Sequence, residues 1–128
     1  MITVIAAIIK KDNKYLIGRR GPKEKATGLW EFPGGKIEDG ETHEECLIRE
    51  LKEELNIDAE IGELYSEYVY KYQHIAYKLY FYSVNNYKGE LEYNAHDKIE
   101  WCHPENFDQY DFLPGDIPIL STIKNSHA

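Results

Sequence analysis

A chain of 128 residues is long enough to bury one core without disulfide or metal staples, so a single domain over residues 1–128 is expected. Its formal charge of −8, from 15 basic and 23 acidic residues, argues against polymeric nucleic acid as a partner, since the surface field repels a polyanion. No stretch approaches the roughly 18 unbroken apolar residues of a membrane span, and the two cysteines, Cys46 and Cys102, lack zinc-type spacing, so a reducing cytoplasm is the expected setting.

The opening ITVIAAII runs into Lys10 and Lys11 with no basic leader before it, and its apolar stretch from Thr3 to Ile9 predicts a first strand buried on both faces. Lys11, Asp12 and Asn13 mark a turn, and Tyr15 to Gly18 a returning strand. The polar RRGPKEKATG reads as a loop, followed by a short strand from Trp30 to Phe32 and a turn at Pro33-Gly34-Gly35. Thr42 and Glu45 have capping-box spacing and predict a helix start. In that helix Leu47, Leu51 and Leu55 with Ile48 share an inward stripe, and Glu50, Glu53 and Glu54 fall on the neighbouring one. Aromatic alternation predicts strands from Leu64 to Tyr72 and Ala76 to Val84. A last strand from Ile99 to Cys102, a short helix opened by Pro104 and a terminal helix from Gly115 to Lys124 complete the order.

From Gly35 the chain reads GKIEDGETHEECLIRELKEELNI. Gly35, Glu41, Arg49, Glu50, Leu51, Glu53, Glu54 and Ile57 fall at the fixed offsets of the Nudix box, which the segment resembles. Asn56 stands where that family usually has Gly, a mild change, because Asn tolerates the left-handed conformation that ends a helix. Chance agreement at these positions is on the order of once in 10⁸ starts, whereas an arbitrary Glu-rich helix is usually a solvated face.

Carboxylates at i, i+3 and i+4 converge within about a turn and a half and repel unless a cation neutralises them, and hard oxygen donors select Mg²⁺ or Mn²⁺. Arg49, four residues before Glu53, is placed to orient that carboxylate by a bidentate hydrogen bond. The resemblance implies metal ligation by Glu50, Glu53 and Glu54, help from Glu38 and Glu41, and a further ligand from the Gly34 carbonyl. It also implies water attack on the inner diphosphate linkage, with Glu50 or Glu53 as general base. His43 and Cys46 lie near the carboxylate stripe, but a lone His or Cys is usually structural.

Resemblance runs from Val4 to about Ile123. WEFPGGKIE, the Arg19-Arg20 pair and FLPGDIPIL look like the MutT branch, which acts on nucleoside triphosphates such as oxidised dGTP and cytidine triphosphates. Arg20 would then meet phosphate, with Lys36, Trp30 and Phe32 as further substrate-binding candidates, the aromatics by stacking a base. Asp116 stands where this branch sets base specificity, and an ionised carboxylate accepts equally from cytosine or guanine donors; its alternative role is to cap the last helix. Ala95 replaces a glutamate that this branch commonly uses for metal, with His96, Asp97 and Glu100 as nearby substitutes. The expectation is an α+β Nudix fold with a mixed curved sheet between helices, monomeric or homodimeric, that hydrolyses a nucleoside triphosphate to monophosphate and pyrophosphate. Another nucleoside diphosphate derivative, or a silent nucleotide-binding module, is the alternative.

Overall fold

A computed structural model describes residues 1–127. The apolar opening forms β1 (Ile2–Lys11), which turns through Asp12 and Asn13 into β2 (Lys14–Arg20). Both turn residues have positive φ, 53° and 63°, the handedness that matches a two-residue hairpin loop to the twist of its strands. There follow β3 (Trp30–Glu31), β4 (Gly34–Lys36), α1 (His43–Leu55), β5 (Asp58–Glu60), β6 (Leu64–Tyr72), β7 (Ile75–Val84), β8 (Asn86–Lys88) and β9 (His96–Cys102). Two 3₁₀ turns, Pro104–Gln109 and Pro114–Asp116, lead into α2 (Ile117–Ser126).

Seven strands form one mixed sheet. The path β3-β2-β1-β7-β6 carries β4 on β1 and β9 on β2, and β5 pairs with β8 apart from it. β1 and β7 run parallel from Ile2↔Tyr77 to Ile9↔Val84, and the remaining pairings are antiparallel. Alternation along β1 sends Ile5, Ala7 and Ile9 to the face covered by Leu47, Leu51 and Leu55 of α1. Ala6 and Ile8 go to the opposite face, against Phe107, Ile119 and Ile123. The molecule is therefore an α/β/α sandwich of the α+β class, and β1 is buried on both sides as its unbroken apolar run predicts. Each fully buried α1 leucine contributes on the order of 1.5–3 kcal/mol.

Several elements differ from expectation. Ile48 does not join the inward stripe and is 40% exposed. The turn placed at Pro33-Gly34-Gly35 becomes β4, which pairs with β1 through Ala6↔Gly34, Ile5↔Gly35 and Val4↔Lys36. Only glycine permits this approach, because a Cβ at Gly34 would lie 2.1 Å from the Ile5 carbonyl oxygen. β5 and β8 are three-residue polar strands without usable alternation. The terminal helix begins two residues late, since Pro114–Asp116 forms a 3₁₀ turn first.

α1 opens on the expected capping box, with Glu45 N–H donating to Thr42 Oγ1 at 3.1 Å and Thr42 N–H donating to Glu45 Oε1 at 2.9 Å. It closes at Asn56, which is left-handed at φ 58° and donates its N–H to the Lys52 carbonyl. Since glycine takes that conformation without a Cβ penalty, Asn56→Gly should raise stability by about 0.5–1 kcal/mol in chemical denaturation. Equal or lower stability would show that the asparagine side chain supports this cap.

Candidate active site

The leucines that pin α1 to the sheet fix where its acidic residues point. Glu54 and Glu50 turn inward, with side chains 10% and 16% exposed. Glu53, on the outer flank, is 59% exposed. Beneath them β4 passes so closely that a Cβ at Gly35 would lie 2.5 Å from Glu50 Cδ.

Arg49 collects carboxylates from the helix and its leading loop. Its Nε and Nη2 donate to Glu41 at 2.7 and 3.0 Å, and its Nη1 to Glu50 at 2.9 Å and Glu53 at 3.3 Å. Glu38 lies 3.5 Å from the same Nη1. The bidentate partner is thus Glu41, eight residues back in the loop, and not Glu53, as helix spacing suggested. This fork, with the Glu38 backbone N–H, holds the Glu41 carboxyl down at about 2 and raises the arginine further. Glu54 lies outside that clamp. Burial, then the neighbouring Glu50 and Glu31, push its carboxyl well above the ordinary range, against a small opposing effect of a Gly34 backbone hydrogen bond.

The expected convergence is therefore met by Glu50 and Glu54, while Glu53 leans toward solvent and Arg49. Among the described residues no three His, Cys, Asp or Glu side chains stand together at ligating geometry. The donor chemistry nonetheless fits a hard divalent cation, because Glu54 is a buried carboxyl whose ionisation needs a positive neighbour. His43 and Cys46 are structural. His43 Nδ1 pairs with Tyr82 Oη at 2.7 Å and its ring packs on Tyr80, while burial pushes the thiols of Cys46 and Cys102 up to about 11.

A cleft of about 660 Å³ lies between β4, which passes beneath Glu50, and the 3₁₀ turn that precedes α2. Gly34, Gly35 and Lys36 line the end nearest Glu50, Arg20 and Glu31 its side, and Phe32, Tyr70, Leu79 and Asp116 its far end. Trp30 is absent from the lining; it is buried edge-on against Tyr110, with centroids 4.9 Å apart. It is a core residue and not a stacking platform. Arg20 faces the cleft but is tied to Glu31 at 3.0 Å and Glu24 at 3.6 Å. Asp116 does not cap α2; its Oδ2 accepts from the Phe32 backbone N–H at 3.0 Å. Burial and the charge of Glu31 raise its carboxyl to about 7, while the Phe32 and Arg20 donors pull the other way.

Of the substitutes near Ala95, Asp97 bonds Arg19 at 2.7 Å and Glu100 accepts from Lys98 and Tyr110. Only His96 faces inward, with Nε2 2.9 Å from Glu31 Oε2 and 3.9 Å from Glu54 Oε1. Glu31 is the residue that sequence reasoning missed. Its signal was a charged residue between two aromatics of a short strand, where an inward acid needs a partner.

An α/β/α sandwich with hard oxygen donors on one helix, beside a nucleotide-sized cleft, defines a hydrolase architecture. The chain belongs to the Nudix family of hydrolases, and a model of the NUDIX domain matches residues 1–123. It is 40% identical over 123 residues to the CTP pyrophosphohydrolase of Escherichia coli, covering 96% of this chain and 91% of that protein. Identity to the 8-oxo-dGTP diphosphatase of the same organism is 31% over 120 residues, covering 94% and 93%. The solution structure of the E. coli ORF135 protein superposes with a TM-score of 0.89 at 38% identity, covering 100% of this chain and 91% of that one. Nudix hydrolases generally use divalent metal ions, and no helix among the described residues is long and apolar enough to cross a membrane.

Folding raises the Asp116 carboxyl from an ordinary 3.8 to about 7, so the folded state favours its protonated form. That contribution is complete below about pH 4 and is lost as pH rises through about 7. Asp116→Asn, which keeps an acceptor for Phe32, should therefore raise Tm by about 5 °C or more at pH 8 and change little at pH 4. A Tm difference independent of pH would show that this carboxyl is not ionised at the cost of folding.

Proposed function

We propose that the chain hydrolyses a nucleoside triphosphate to the monophosphate and pyrophosphate, with the base at Phe32 and Asp116 and the phosphates along Gly34 to Lys36. The observation that carries this is the cleft, which is apolar and aromatic at one end and at the other is lined by β4, directly beneath Glu50. Its volume of about 660 Å³ lies within the range of small-molecule sites. The relatives named for CTP and for 8-oxo-dGTP support the same substrate class.

Glu50 and Glu54 would hold a Mg²⁺ or Mn²⁺ ion, a reading supported by their inward-turned side chains, with Glu53, Glu41, Glu38 and the Gly34 carbonyl as further donors. Such an ion, when bound there, would supply Lewis-acid chemistry, offsetting charge on the phosphates and making water more acidic. Arg49 orients Glu41, Glu50 and Glu53 through its hydrogen bonds, so that one of Glu50 and Glu53 can accept the proton of the attacking water. Lys36 and Arg20 supply positive charge to the phosphates, Arg20 once it exchanges one carboxylate partner for them.

Asp116 gives the base end its selectivity. A protonated carboxyl offers one donor and one acceptor, which suits the N3 and amino group of cytosine; an ionised one offers acceptors only, which suits the two donors of guanine. Because this carboxyl titrates near neutrality, the kcat/KM ratio of CTP to 8-oxo-dGTP should fall as pH rises from 6 to 8. Asp116→Asn should flatten that profile; a wild-type ratio constant with pH removes Asp116 from base recognition.

The reaction class is tested by scoring pyrophosphate against orthophosphate release across triphosphates and ADP-ribose. Turnover should vanish with a chelator and return with Mg²⁺ or Mn²⁺. Glu54→Gln should lose roughly 10²-fold or more in kcat with its circular dichroism retained. Wild-type turnover by that variant, or turnover in chelator, would refute the assignment.

A further inference from the structure

Glu31 and His96 have no part in the chemistry above, yet the fold goes to some length to bring them together. Glu31 stands opposite Gly18 in the β2–β3 pairing, and His96 enters from the other side of β2, opposite Arg20. The imidazole reaches Glu31 only by crossing the backbone of β2, which it can do because position 18 has no side chain. A Cβ there would lie 2.7 Å from His96 Cγ and Cδ2.

The ring is almost wholly enclosed, its side chain 1% exposed. Its Nε2 faces carboxylate oxygens of Glu31 at 2.9 Å and Glu54 at 3.9 Å, an arrangement that a bare lone pair would make repulsive. Nε2 therefore carries the hydrogen and donates it to Glu31. His96 Nδ1 is buried without a partner among the described residues. An orphaned acceptor of this kind weakens a fold and calls for a reason, and among the described residues the bond from Nε2 to Glu31 is the one hydrogen bond the ring makes. Glu31 also accepts from Arg20 Nη1 at 3.0 Å through its other oxygen, so its carboxylate is gripped from two sides on the wall of the cleft.

We propose that His96 is a positioning residue, which by the hydrogen bond across Gly18 fixes Glu31 as an oriented acceptor facing the bound nucleotide. Without that bond Glu31 is free to follow Arg20, and the arginine loses its fixed orientation toward the cleft as well. The inference rests on the nucleotide reading of the cleft, but the hydrogen bond itself does not. The orphaned Nδ1 sharpens the test. Gln at position 96 places an amide donor near the Nε2 position and gives up nothing at Nδ1, whereas Leu fills the space and donates nothing.

Long-range ¹H–¹⁵N spectra of the free protein, with His96→Gln to assign the signal, should show the Nε2–H tautomer. With CTP and 8-oxo-dGTP as substrates in Mg²⁺, His96→Leu should raise KM about tenfold at a kcat within about threefold of wild type. Gly18→Ala should reproduce this, since its Cβ displaces the ring without removing any chemical group. His96→Gln should recover most of what Leu loses, and thermal unfolding identifies any variant that fails to fold. An Nδ1–H tautomer overturns the proposal. So does an unchanged KM in a folded His96→Leu, or a Gln variant as impaired as Leu. Should the wild-type chain hydrolyse no triphosphate, the proposed function falls, while the tautomer, measured without nucleotide, still judges the hydrogen bond.

Discussion

Crowding of carboxylates is the constraint around which this molecule is arranged. Glu31, Glu38, Glu41, Glu50, Glu53, Glu54 and Asp116 all lie along one helix, its leading loop and the adjoining cleft, and like charges so close cannot all ionise unaided. The fold answers in three ways. Arg49 neutralises the outer set, with Glu41 held in its fork and Glu50, Glu53 and Glu38 on its other nitrogen. Arg20 and His96 hold Glu31. What remains, Glu54 and Asp116, is pushed toward the neutral form by burial and by Glu31. These two residual acids sit where the proposed reaction calls for a cation at one end and base discrimination at the other.

How far this could be foreseen depended on the range of each interaction. The capping box, the leucine stripe of α1 and the left-handed Asn56 are local matters, decided within a few residues, and the chain displays them openly. β1 was equally plain, because burial on both faces leaves an unbroken apolar run. β4 was hidden: Gly34-Gly35-Lys36 has no strand propensity, and its pairing follows from the shape of β1, which only the folded chain supplies. Ile48 misled because a helical stripe has a width that periodicity alone does not set.

The site divides along the same line. That Arg49 serves the carboxylates was readable from the motif, but its partner was not, since i, i+4 spacing points to Glu53 while loop closure delivers Glu41. Trp30 and Phe32 are near neighbours with the same apparent capacity to stack a base, and the fold buries both in one core cluster, with Phe32 alone of the two also bordering the cleft. Glu31 escaped notice because its meaning depends on Arg20 and His96, eleven and sixty-five positions away. The 40% identity to a CTP pyrophosphohydrolase fixes the family independently of these details.

The two cysteines bring out a last consequence. Cys46 lies fully buried on α1 with its sulfur near the Gly35 and Lys36 carbonyls, and Cys102 is nearly so at the end of β9. With both thiols raised to about 11, scarcely any thiolate exists near neutral pH, and peroxide reacts with the thiolate. Neither sulfur is a ready target for sulfenic acid formation. Burial thus leaves both sulfurs reduced under conditions that oxidise an exposed, more acidic thiol.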